Sequence, residues 1–147
     1  MTDQSVKPSK ASKAAKRAAE QQMLTALRHV RAAAMALPEA TERLSHGAPT
    51  FFIGGKKTFV MFLDDHHGDG RLALWVAAPA GVQASMIDED PEQFFFPPYV
   101  GHRGWLGVRM DRDPDWDEIA AIVTEAYRCV APKKLIAQLD EKADATG

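Results

Sequence analysis

The spacing of hydrophobic and polar positions changes once along the chain. Over residues 13–37, Leu27, Val30, Ala34 and Leu37 recur at intervals of three and four, the period of a helix with one apolar stripe. Pro38 closes that helix, because proline has no amide to continue the ladder. Lys13, Lys16, Arg17, Arg28 and Arg31 fall largely off the stripe, on a solvated side. Beyond Pro38 the period drops to two and turn residues become dense, the pattern of strands joined by tight connections. Strands are expected over 43–46, 50–53, 58–63 and 71–77. The third places Phe59, Met61 and Leu63 on one face, and the fourth sets Leu72, Leu74 and Val76 opposite Trp75. Gly54-Gly55 supplies the positive backbone angles of a hairpin, and 64–70 forms a longer polar connection.

Pro79 opens a short helix over 80–88. Residues 91–99 combine three consecutive phenylalanines with Pro97-Pro98 and read as buried extended chain or an edge rather than a mid-sheet strand. Alternation returns over 105–110 with Leu106, Val108 and Met110 together. The last long helix starts with Asp113 as N-cap and Pro114 in the first position, with Asp115, Asp117 and Glu118 favoured by the dipole. Trp116, Ile119, Val123, Ala126, Tyr127 and Val130 make its inward stripe, Pro132 interrupts it, and 133–139 adds a turn or short helix. The sum is an α+β fold: an antiparallel sheet with N- and C-terminal helices packed on one face. One domain is expected over 13–139, between a disordered basic tail at 1–12 and a polar tail at 140–147.

Composition narrows the functional classes. The 147 residues carry 18 Lys+Arg and 20 Asp+Glu, net -2. The charge is split: residues 1–37 hold seven basic against two acidic side chains, net +5, and 38–147 hold eleven against eighteen, net -7. A uniformly basic nucleic-acid coat is excluded. The single cysteine, Cys129, cannot close an intrachain disulfide and is expected to act as a partly buried small hydrophobe. No apolar run is long enough to cross a bilayer and the first residues lack a signal-like core, so a cytoplasmic location and no membrane partner are expected. Asparagine is absent, which removes N-glycosylation and Asn-to-adenine readout.

Apparent motifs fail on context. Gly54-Gly55-Lys56-Lys57-Thr58 has Thr50 where a phosphate loop needs glycine and Lys57 where it needs Ser or Thr, and it joins two strands. Gly68 to Ala73 fits G-x-G-x-x-A but leads into a strand, and Gly101-His102-Arg103-Gly104 lacks the helical setting of a KH loop. His66, His67, Asp64, Asp65 and Asp69 crowd one loop without metal-ligand spacing, so no metal is assigned. Ser45 beside His46 has no nucleophile elbow, and no acid/base pair stands out, so neither catalytic residue nor cofactor is assigned. What remains is a set of exposed cations: Lys56 and Lys57 at a hairpin tip, Arg103 before the Trp105 strand, and Lys133-Lys134 after the last helix. These are the candidate contacts to nucleic-acid phosphate. The alternative is a cleft near His46, His102, Arg103 and Trp105 that holds a small anionic metabolite, in a binding protein or an enzyme.

Leu37-Pro38-Glu39, His46-Gly47-Ala48-Pro49-Thr50-Phe51, Gly55-Lys56, Phe59, Pro97-Pro98-Tyr99-Val100-Gly101, Gly104-Trp105 and 127–134 occur in an order that resembles the MmcQ/YjbR family, over roughly residues 20–138. The resemblance implies a CyaY/frataxin-like α+β fold and a DNA-binding role of double-wing form; the leading expectation is a non-enzymatic binding module with DNA as partner, its oligomeric state open with a monomer favoured. The 54–57 hairpin would be one wing and the 64–70 connection the second. That second wing carries Asp64, Asp65 and Asp69, which repel phosphate. The iron-binding acidic ridge of frataxin-like first helices has no counterpart, since the first helix here is basic.

Overall fold

The computed structural model describes residues 10–146. Of the expected tail, 1–9 lie outside the described residues, and helix α1, Lys10–Met35, already includes 10–12. Ala26, Val30 and Ala34 of α1 are buried, whereas residues 10–22 are all exposed.

Strands β1 (Ala40–Ser45), β2 (Ala48–Ile53), β3 (Lys57–Asp64) and β4 (Leu72–Val76) follow as antiparallel neighbours. Helix α2 (Val82–Glu89) leads to the short β5 (Phe94–Phe95) and then to β6 (Leu106–Arg109). The sheet order is β1-β2-β3-β4-β6-β5. Helices α3 (Trp116–Val130) and α4 (Lys133–Thr146) complete the chain. β1, β2 and β3 begin earlier than expected, β4 and β6 are shorter than expected, and α4 runs on through 140–146, where a polar tail was expected. Leu135 is buried, and an Arg128–Asp140 ion pair at 2.7 Å ties α4 to α3.

Lateral rows of partners define two faces. Phe51-Val60-Val76-Leu106 and Phe62-Leu74-Val108-Phe94 line the face covered by α1 and α3. Thr50-Met61-Trp75-Gly107-Phe95 lies on the other. Leu72, Leu74 and Val76 oppose Trp75 as the alternation requires. Phe59 does not stay with Met61 and Leu63, because Phe52 pairs with Thr58 and Phe51 with Val60, leaving Phe59 as a bulge residue. The bulge brings Phe59 to the helical side, where its ring meets Tyr127 edge-on at 5.5 Å.

Three further details correct the sequence expectations. The N-cap of α3 is Asp115, not Asp113: the Asp115 carboxylate accepts from the amides of Asp117 (2.9 Å) and Glu118 (3.3 Å), while Asp113 takes a left-handed conformation. Of the three phenylalanines, Phe94 and Phe95 are buried but Phe96 is exposed. Cys129 is exposed rather than partly buried.

Candidate functional site

His46 and Gly47 both have positive φ (51° and 79°), which makes the β1–β2 connection a two-residue turn that continues the strand twist. Gly54 N donates to Glu39 O, so in this register Leu44 and Pro49 are a pair without mutual hydrogen bonds. The Pro49 nitrogen therefore faces β3 and carries no hydrogen. The β2–β3 ladder ends at Thr50–Met61, while β1–β2 continues to Ser45–Ala48. On β3, Asp65 N donates to Arg71 O and Ala77 N to Phe59 O, which turns the backbone groups of Phe62 and Asp64 away from β4, toward β2.

A cleft of about 1020 Å³ lies at this divergence. Ala48 and Pro49 line one side, and Phe62, Leu63 and Asp64 the other. Met23 and Leu27 of α1 approach from the helical face, and Met61, Trp75 and Tyr99 from the opposite face, so the cleft cuts through the margin of the sheet. Leu44 and Tyr99 are each 69% exposed on its walls. Three of its lining residues, His46, His67 and Tyr99, hold positive φ without being glycine, a local strain that recurs at functional sites.

The aromatic wall is a packed cluster. His66 meets Trp75 edge-on at 4.8 Å and Tyr99 at 6.0 Å, and the Trp75 and Tyr99 rings are 6.5 Å apart. His66 sits in a 3-10 turn (His66–Gly68) held by Asp65, whose Oδ1 accepts from Gly70 N at 2.7 Å. Asp69 Oδ1 accepts from Arg71 N at 2.9 Å. The segment carrying Tyr99 is anchored by Gln83, whose Nε2 donates to Gly101 O (2.7 Å) and Trp105 O (2.6 Å). Burial, with Asp65 and Asp69 beside it, pushes the Asp64 carboxyl above its ordinary pKa. The lining includes no Lys or Arg. Among the described residues no three His, Cys, Asp or Glu side chains converge as a metal-ligand set.

The sequence-derived candidates do not gather in one place. His46 lines the cleft, but His102, Arg103 and Trp105 do not. Trp105 precedes Leu106, the partner of Val76, and so lies at the end of the sheet where β3 begins. There it is buried beneath the Arg103 guanidinium, 5.4 Å from its ring, with His102 exposed nearby. Lys56 and Lys57 are exposed at the β2–β3 turn, at the opposite end of β3 from the cleft. Arg43 joins them: its Nη1 donates to Gly55 O at 2.8 Å and its guanidinium lies over Phe52. Lys133 and Lys134 are exposed in the first turn of α4. Sequence reasoning missed Met23, Leu27, Met61, Trp75 and Tyr99 as a group. Their one visible signal is Leu44, an apolar residue in a strand whose other side chains are polar or small.

Comparison with known proteins bears on the fold. A family model described as YjbR matches residues 35–129. A crystal structure of Deinococcus radiodurans protein DR2400, with a DUF419 family-model domain, superimposes with a TM-score of 0.60 at 12% identity, over 76% of this chain and 85% of that one. No curated protein matches. No helix among the described residues is long and apolar enough to cross a membrane.

Proposed function

The chain belongs to the YjbR family, and from that premise we propose that it is a binding module whose ligand occupies the cleft between the β1–β2 hairpin and β3. The observation that carries this reading is the cleft itself. It is concave and lined mainly by apolar and aromatic side chains, with few polar groups, the usual character of a small-molecule site. A lining without Lys or Arg, with Asp64 in it, argues against the anionic metabolite expected from the sequence. A thermal-shift screen of small organic molecules tests the reading, since a ligand at about 100 times its Kd adds about 2.7 kcal/mol. Leu44→Glu, on the exposed rim, should remove the shift and leave the free protein's melting temperature in place. A panel without stabilising compounds, or a shift that Leu44→Glu leaves intact, would overturn the proposal.

Nucleic-acid binding is a second reading, supported by three cations at one turn: Arg43, braced on Gly55 O, with the exposed Lys56 and Lys57. Phosphate contacts of this kind weaken steeply with salt. Fluorescence anisotropy with duplex and single-stranded DNA should show salt-sensitive binding that Lys56→Glu with Lys57→Glu reduces. Absence of binding to either form at about 50 mM salt would remove this reading.

A further inference from the structure

If the cleft is a binding site, its polar groups define what it accepts. Trp75 is 2% exposed, and its indole Nε1 has no hydrogen-bond partner among the described residues. Indole nitrogen can only donate, and a buried donor without an acceptor is costly. Trp75 lines the cleft, packed behind His66 and Tyr99, and a ligand acceptor that reaches its nitrogen relieves it. The β3 edge adds a second requirement. In this register the Phe62 amide reaches the Pro49 carbonyl, but the Phe62 carbonyl faces a proline that has no N–H to return, and the backbone of Asp64 faces the divergence beyond the last β2–β3 pair. The third requirement is charge: Asp64 lines the cleft with Asp65 and Asp69 close by in sequence, none of the three forms an ion pair among the described residues, and the lining has no Lys or Arg.

A ligand that answers all three combines an acceptor and a donor in one neutral group on an apolar body. We infer that the cleft binds an uncharged, amide-bearing organic molecule. The carbonyl accepts from Trp75 Nε1, the amide N–H meets an acceptor of the β3 edge or Asp64, and the body lies against Met23, Leu27 and Met61. An anion meets Asp64 with no Lys or Arg in the lining to compensate, and a purely apolar molecule leaves Nε1 unpaired.

Three probes that share one ring separate these terms: benzamide, benzoate and toluene, titrated into the uniformly 15N-labelled full chain and followed by NMR at the indole N–H signals of Trp75, Trp105 and Trp116. Benzamide should move the Trp75 indole signal selectively, in the direction of a stronger hydrogen bond, with a Kd about tenfold below those of benzoate and toluene. Trp75→Phe should reduce the advantage over toluene, and Asp64→Asn should narrow the gap to benzoate. Should Trp75→Phe fail to fold, the indole shift in the unmodified protein decides the acceptor question alone. Equal binding of benzoate, or benzamide binding that leaves the Trp75 signal unmoved, defeats the amide assignment while the cleft stands. If none of the three perturbs any cleft residue, the cleft reading itself falls.

Discussion

Tyr127 is fully buried and still pairs its hydroxyl, which donates to Pro38 O at 2.7 Å and links α3 to the end of the α1 connection. Tyr127→Phe keeps the ring against Phe59 and orphans that carbonyl, so urea unfolding should show a loss of about 1 kcal/mol. Asp64 illustrates the reverse balance. Its folded pKa lies above its ordinary value, so ionisation costs stability above about pH 3.9 and costs nothing below it. Asp64→Asn should therefore raise the melting temperature slightly at pH 7 and leave it unchanged at pH 3. A gain that persists at pH 3 would assign the effect to something other than charge. At this scale the sequence marks apolar positions well, since the inward stripe of α3 is buried at Ile119, Val123, Ala126 and Tyr127. It is silent on which polar atoms find partners, because Tyr127 and Pro38 are 89 positions apart.

Elements begin and end where local chemistry competes, and α3 shows the competition. Asp113-Pro114 has the form of a helix start, yet Asp115 reaches two amides and sets the cap. Asp115→Ala should cost about 1 kcal/mol and Asp113→Ala less than about 0.5 kcal/mol, measured side by side in denaturant. Comparable losses would return the cap to Asp113. The β5–β6 contact is equally discriminating. A Cβ on Gly107 would meet the Phe95 ring at 2.5 Å, and that ring is buried beneath Arg71, whose guanidinium lies 4.1 Å from its centroid. Gly107→Ala should cost about 1–3 kcal/mol. Gly101→Ala faces the ring of Phe96, which is exposed and free to turn, and should cost less than about 0.5 kcal/mol. Strand existence was legible in the two-residue alternation of β2 to β4 and β6. The bulge at Phe59 was not, because an extra residue is defined only against the partner strand.

Across the whole molecule, the charge split read from composition acquires a place. The first half of α1 carries Lys10, Lys13, Lys16 and Arg17 on an exposed stretch, whereas the acidic remainder includes the cleft side with Asp64, Asp65 and Asp69. The family and its α+β sheet were legible from ordered short motifs, and the family-model match over residues 35–129 agrees with them. The cleft was not legible as a unit: its walls come from α1, the first hairpin, β3, β4 and the Tyr99 segment, and no local window contains them.

Pro49 gives this arrangement a kinetic signature. A sheet usually protects its central amides uniformly, but protection along β3 should stop abruptly: slow exchange at Met61 and Leu63, bonded to β4, and at Phe62, whose amide reaches the Pro49 carbonyl, and faster exchange at Asp64, beyond the last β2 pair. Pro49→Val supplies an N–H to the Phe62 carbonyl, and that new amide at position 49 should itself exchange slowly. The seam would then begin to zip, and the protein would trade its opening for a longer sheet.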